Sequence, residues 1–414
     1  MTDSKDSVLI IGGGIIGACS AYYLSKAGFE VSIVEQNKFG SGCSHANCGY
    51  ICPSHALPLC IPEALMKPIK SMFKSYSPFY VNPMVGPSLW GWLVKFAMNC
   101  KSSHTLYAAK ARHELLQSSM SLYKEIIDAE KIDCEWQEKG LLFVHVEEES
   151  LHHYAQTNDF LKKEFGLEAK GYDAKGIVNL EPALKDSVVG GWHYEGDTHM
   201  KPDKLMAELK RVLLDLNVNI IEDCKVNDIK TSAGKAVAID SSKGQILFNK
   251  LLLATGALAP KLAAKLGVKL SIQPGKGYSL TTNKPTVCPK IPMILEDHSV
   301  AVTPFHEAYR LGSTMEFSGY DGQINRKRLG LLEEGAKHYL RDVRGESIHE
   351  EWYGWRPMTS NGIPIIGKTP AYQNAYIAAG HSMLGMFMGT GTGKLISEII
   401  SGEKPHIDAK AYQL

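Results

Sequence analysis

Apolar positions along the first forty residues change period twice. Val8-Leu9-Ile10-Ile11 is an unbroken apolar run of strand length, residues 14–27 repeat at helical spacing up to Gly28, and residues 30–34 alternate again. That order predicts a βαβ unit. Helical periodicity returns at 105–130, 150–165 and 204–216, and strand-like runs follow at 219–221 and 226–229. Residues 250–256, Lys-Leu-Leu-Leu-Ala-Thr-Gly, are continuously apolar until the glycine, as expected for a central parallel strand covered on both faces. Short alternating runs at 277–282, 300–304 and 309–315 predict an antiparallel sheet, with helix-like sequence after them to about 342. A last strand at 376–380 leads into a glycine-started helix at 389–400.

These elements predict an α/β fold. A Rossmann-type dinucleotide domain is discontinuous, drawn from 1–75, 197–272 and 356–414. A second α+β domain on an antiparallel sheet comes from 76–196 and 273–355. The 414 residues are enough for two such cores. A balance of 45 Lys+Arg against 44 Asp+Glu gives no basic surface that calls for nucleic acid. Nine cysteines, an odd number, after a polar start with no secretory h-region predict reduced thiols in a cytoplasmic protein. The apolar stretch 78–100 is interrupted by Pro83, Pro87 and Lys95, so it is not a spanning helix. Its second half, 88–98, is expected to pack into the protein's own core, and peripheral contact with the inner face of a membrane is the alternative.

Gly12-Gly13-Gly14-Ile15-Ile16-Gly17 is a G-x-G-x-x-G turn between strand and helix. Its first glycine turns the chain, its second admits a pyrophosphate, and its third lets helix pack on strand. The helix N-terminus then offers free N–H groups to the anion. Glu35 ends the second strand 23 residues after Gly12, where a carboxylate accepts ribose hydroxyls. This much does not separate FAD from NAD.

Other motifs do. Gly40 to Gly49 (Gly-Ser-Gly-Cys-Ser-His-Ala-Asn-Cys-Gly), Gly196-Asp197 with Pro202, Pro274 to Ser279, the run from Trp355-Arg356-Pro357 through Gly362 to Gly367, and Gly380-His381 through Gly385 stand in one order along nearly the whole chain. In these motifs the sequence resembles the D-amino-acid oxidase superfamily of FAD-dependent amine oxidoreductases, most closely its dehydrogenase branch. The resemblance implies FAD bound by Gly12, Gly14, Ile16, Gly17, Glu35, Gln36, Ser44, His45, Asn47, Cys48, Gly49, Val226, Thr255, Gly256, Gly380, Met383, Leu384 and Gly385. It implies an amino-acid substrate whose carboxylate is gripped by Arg356, between Trp355 and Pro357.

A guanidinium suits that task because it offers paired donors and stays charged. Tyr50 and His55 are candidate cavity walls, Tyr278 a candidate hydroxyl donor, and His381 a candidate beside the flavin; for each, ordinary packing is the competing expectation. Where glycine oxidases carry a carboxylate-binding tyrosine and a second arginine, this chain aligns Val300 and Met383. An apolar wall of Val300, Met315, Met383 and Phe387 suits a larger or cyclic side chain, such as D-proline or hydroxy-D-proline, better than glycine. Cys43, Cys48, Cys52 and Cys60, with His45 and His55, match no known zinc or iron–sulfur spacing, so no metal is expected. Covalent flavin attachment at His45 is the less favoured alternative to reversible binding. Three functions compete: a D-amino-acid dehydrogenase passing electrons to a quinone or other carrier, an O2-using oxidase of sarcosine-like secondary amines, and a flavin-holding subunit of a larger complex.

Overall fold

Val8 to Ile11 are almost wholly buried because strand Ser7–Ile11 lies inside a six-stranded sheet. The computed structural model describes residues 6–65 and 79–414. The expected domain boundary at residue 75, and Pro78 of the apolar stretch, lie outside the described residues. Strands in the first sheet run Ile365–Lys368, Ala375–Ala379, Lys250–Leu253, Ser7–Ile11, Glu30–Val34 and Asn219–Ile221. All neighbours are parallel except the first pair. Leu251, Leu252 and Leu253 are fully buried, as the uninterrupted apolar run implies for a strand paired on both sides.

Helix Ile15–Lys26 covers this sheet, and helix Gly389–Ser401 lies against it. Gly393 faces the backbone of Cys19, and Gly391 donates its N–H to Ser119 Oγ of helix Ser102–Ala129 at 2.8 Å. A side chain at Gly393 has no room, so the Gly-Thr-Gly-Thr-Gly start of this helix sets how near its neighbours come.

The second sheet has nine strands. Its order is Ile348–Thr359, Ile272–Thr282, Tyr309–Phe317, Val300–Pro304, Met293–Leu295, Leu141–His145, Gly190–Tyr194 and Lys170–Asp173, with Phe79–Val81 paired to Tyr309–Phe317. It is mixed rather than purely antiparallel, because Met293–Leu295 runs parallel to Leu141–His145 and Phe79–Val81 parallel to Tyr309–Phe317. The expected boundaries at 272/273 and 355/356 lie within the paired strands Ile272–Thr282 and Ile348–Thr359.

Helix Pro87–Asn99 buries Leu89 and Trp92 against Met315, Phe317 and Met358 of this sheet, while Val94 and Met98 face outward. Among the described residues no helix is long and apolar enough to cross a membrane.

Candidate functional site

The two sheets meet through the loop after Glu30–Val34. At the end of strand Ser7–Ile11, Gly12 has φ +113°, and a Cβ there would press on the Ala254 carbonyl. A Cβ on Gly17 would overlap the Gly12 carbonyl oxygen, so the helix sits directly on the turn. Glu35 accepts from Gly13 N (2.8 Å) and Asn37 N (3.0 Å), which fixes its carboxylate beside the glycine turn. Strand Val226–Ser232 follows Cys224, whose N–H bonds the Glu35 carbonyl at 2.8 Å, so Val226 is near the same end.

The Ser44 hydroxyl accepts from Ile15 N at 2.9 Å. Gly14, at the N-cap, supplies no side chain and the first helical turn carries no acid, so this N-terminus is open to an anion. Thr255 Oγ1 beside the turn and Ser382 Oγ beside Gly380 are buried without a partner. A dinucleotide cofactor fits this donor set: first-turn amides, an acid at the second strand end, and hydroxyls lacking acceptors.

Asn47 folds back to shape the loop, its Oδ1 accepting from Gly49 N at 2.8 Å. The Asn47 carbonyl receives Arg310 Nη1 at 2.8 Å, and the Cys48 carbonyl receives Thr303 Oγ1 at 2.8 Å. These bonds pin the loop to the second sheet. His45 Nε2 is 2.8 Å from Glu350 Oε1, so its ring is engaged by a carboxylate of that sheet.

Arg356 stands on the sheet face beneath this loop. It lies opposite Gly275, and its guanidinium covers Gly277, where any side chain would collide with it. Nη1 donates to the Thr314 carbonyl at 2.5 Å and Nη2 to Ser313 at 3.4 Å. Ser313 and Thr314 adopt positive φ (116° and 55°) at a bulge opposite Lys276 and Tyr278, which turns their carbonyls toward the arginine. No Asp or Glu pairs with Arg356 among the described residues; desolvation lowers its guanidinium, and the Cys48 and Cys43 thiols flank it. Met315 Sδ lies 3.9 Å from Nη1. The arrangement is a cation awaiting an anion.

Strand alternation corrects two expectations. Tyr278 lies one position off the face shared by Gly275 and Gly277; its hydroxyl donates to Glu316 Oε2 at 2.7 Å, which also pairs with Arg328 at 3.2 Å. Tyr278 therefore serves the buried side of the sheet, away from Arg356. Val300 likewise packs with Leu329 and Leu332 in that opposite core instead of lining an Arg356 pocket. The Y278F variant is expected to keep flavin reduction within about two-fold and to lose ~1 kcal/mol of stability. Stopped-flow reduction and thermal melts check both parts.

Tyr50 is buried with its hydroxyl 2.9 Å from the Val302 carbonyl and 3.0 Å from that of Met293, so its polar end is engaged by backbone. Burial lowers His381 to about 3, and Nε2 meets Thr392 Oγ1 at 3.0 Å, so the imidazole is neutral and tied to the C-terminal helix. Gly380 (φ +80°) and Ser382 (φ +52°) bend the chain between them, and Leu384 N returns to the His381 carbonyl at 2.8 Å. Met383 is partly exposed beside this turn.

His55 packs against the rings of Phe143 and Phe387, and burial lowers it to about 4. Cys52, His55 and Asp197 bring one donor atom each within 4.8 Å, a grouping the sequence spacing did not reveal. Ser54 holds it together, its hydroxyl and its N–H both donating to Asp197. All nine cysteines are free thiols.

Burial raises Asp197 to about 7 in the folded chain, against about 4 when unfolded. The folded state binds the proton more tightly, so this contribution is full below about pH 4 and is lost as pH rises through about 7. A difference of that size corresponds to ~4 kcal/mol. Wild-type Tm is therefore expected to fall relative to D197N between pH 4 and 8; parallel curves would contradict it.

Comparison with known proteins places this geometry. A family model described as FAD dependent oxidoreductase (DAO) matches residues 7–399. The chain is 32% identical over 410 residues to the D-amino acid dehydrogenase of Granulibacter bethesdensis, covering 97% of each. Its fold is similar to glycine oxidase from Geobacillus kaustophilus (TM-score 0.77, 22% identity, 99% of each chain). It is also similar to L-proline dehydrogenase from P. horikoshii (TM-score 0.73, 19% identity, 99% of this chain and 96% of that one). The chain belongs to the DAO family of FAD-dependent oxidoreductases. It is an FAD-dependent amine oxidoreductase, and the open helix N-terminus, Glu35 and the orphaned hydroxyls suit that cofactor.

Proposed function

We propose that the protein is a D-amino-acid dehydrogenase that converts its substrate to an imine and passes the electrons to a quinone or other carrier. The observation that carries this reading is Arg356, a desolvated guanidinium on the sheet face beneath the flavin loop, held by two backbone carbonyls and the Met315 sulfur and paired with no acid among the described residues. The relatives at about 30% identity named D-amino acid dehydrogenase support the substrate class.

Arg356 exchanges the Thr314 and Ser313 carbonyls for the substrate carboxylate and so fixes the Cα–H direction. Met315, whose sulfur lies 3.9 Å from Arg356 Nη1, offers apolar surface to an aliphatic or cyclic side chain. The reaction requires a neutral amine, which a pocket that disfavours charge promotes. Bound FAD supplies the acceptor for the hydride leaving Cα. Water then hydrolyses the imine of a primary amine to a 2-oxo acid and ammonia. The outward Val94 and Met98 support an acceptor met at a lipid surface.

Anaerobic mixing of the flavin-loaded protein with D- and L-amino acids, including D-proline, tests the reading. D-isomers should bleach the oxidised flavin and L-isomers should not; L-selective bleaching, or none, would overturn it. Reoxidation of the reduced protein should be slow in air and fast with a soluble quinone.

A further inference from the structure

A thiol, an imidazole and a carboxyl meet where the proposed reaction places nothing. Cys52, His55 and Asp197 each bring one ligand atom within 4.8 Å of the others. Strand Tyr50–Ile51 pairs antiparallel with Thr198–His199, which carries the residues after Ile51 up against Asp197. The short 3₁₀ turn Pro53–Ala56 follows, and within it Ser54 donates to Asp197 through both its N–H and its hydroxyl. Arg112, on the buried face of helix Ser102–Ala129, fixes the far side of the turn by donating from Nη2 to the His55 carbonyl at 2.9 Å. The His55 ring rests on Phe143 and Phe387, with centroids 5.7 and 5.5 Å away.

The chemistry of this cluster is that of a cation site. Asp197 and Cys52 are buried. The carboxyl of Asp197 is met by Ser54 and the Cys52 thiol, and no Lys or Arg pairs with it among the described residues. A buried carboxylate without a cation is costly. One thiolate, one imidazole and one carboxylate form a donor set that suits Zn2+, whose bonds of about 2.0–2.3 Å place tetrahedral donors roughly 3.3–3.8 Å apart. A closure of about 1 Å in the widest pair reaches that spacing. The Ser54 hydroxyl, 3.4 Å from His55 Nδ1 and bonded to Asp197, stands where a fourth ligand is needed. As the ion enters, Cys52 gives its proton to solvent and Asp197 any proton it holds. Thiolate and carboxylate then balance the two charges of the ion, so the filled site is neutral and adds no charge beside Arg112.

We propose that Cys52, His55 and Asp197, with Ser54 completing the shell, bind one Zn2+ ion that staples the segment after the flavin loop to the start of strand Thr198–His199. The expectation of no metal, drawn from cysteine spacing, is thereby reversed. The full chain with its flavin, stripped of metal by a chelator, is titrated with Zn2+ and with Co2+. One ion per chain should bind, and Zn2+ should raise Tm. Co2+ should give four-coordinate d–d bands to the red of the flavin absorption. C52S and H55Q should each weaken Zn2+ binding at least ~10-fold, the scale lost even when outer-shell partners of a metal are removed. C288S, which removes a partly buried thiol elsewhere, should bind as wild type does. The pH-dependent fall in Tm that Asp197 causes belongs to the metal-free chain. If C52S does not fold, H55Q and the Co2+ spectrum of the wild type carry the test. Failure of the wild type to bind Zn2+, or unchanged binding in C52S or in H55Q, would overturn the proposal. So would absence of the Co2+ bands in wild type, their persistence in C52S, or a loss of binding in C288S as large as in C52S. Flavin bleaching by D-amino acids is read separately, so failure here leaves the proposed function standing.

Discussion

R356Q is expected to keep its yellow cofactor and its fold while losing substrate-driven flavin reduction by about 10²–10⁴-fold, equivalent to ~3–5 kcal/mol. The glutamine retains a donor near the Thr314 carbonyl but neither the charge nor the fork that matches two carboxylate oxygens. The loss should appear in the reduction rate as well as in KM, because the carboxylate sets the direction of the Cα–H bond. R356K, with the charge but a single donor point, should recover only part of the rate. Anaerobic stopped-flow measurement of oxidised-flavin absorbance separates these outcomes. Wild-type reduction in R356Q would remove Arg356 from the site.

The second large effect concerns the cofactor. G17V places a branched side chain where even a Cβ overlaps the Gly12 carbonyl oxygen, so the helix must move off the turn. Overpacking of this kind costs ~1–3 kcal/mol or more, and the displaced first-turn amides no longer meet a pyrophosphate. The variant is expected to purify largely colourless and to bind added FAD at least ~10²-fold more weakly, with far-UV dichroism near that of wild type. Full flavin content after dialysis would contradict this.

What was legible in the sequence follows from how local each signal is. The βαβ opening, the buried strand Lys250–Leu253 and helix Pro202–Asp215 are set by periodicity within a single element, and they appear where the pattern places them. Glu35 and the glycine turn are likewise neighbours along one short unit. Tyr278 and Val300 show the limit: a strand residue can be placed in a sheet from its neighbours, but which face it occupies depends on the partner strands and on the bulge at Ser313 and Thr314. The Cys52–His55–Asp197 grouping joins positions far apart in the chain, through pairing of Tyr50–Ile51 with Thr198–His199, so no linear spacing records it. Arg112 did leave a trace. It shares a buried stripe with Thr105, Ala108, Leu115 and Ser119, and a charged residue on the buried face of an amphipathic helix is a signal of its own.

The central claim is that an amino acid is held by its carboxylate and oxidised at the adjacent carbon. Its most direct test uses the unaltered protein under anaerobic conditions, mixed in parallel with D-proline and with pyrrolidine, the same ring without the carboxylate. The account predicts rapid loss of the oxidised-flavin band with D-proline and none with pyrrolidine on the same timescale. Equal bleaching by the two compounds would contradict it.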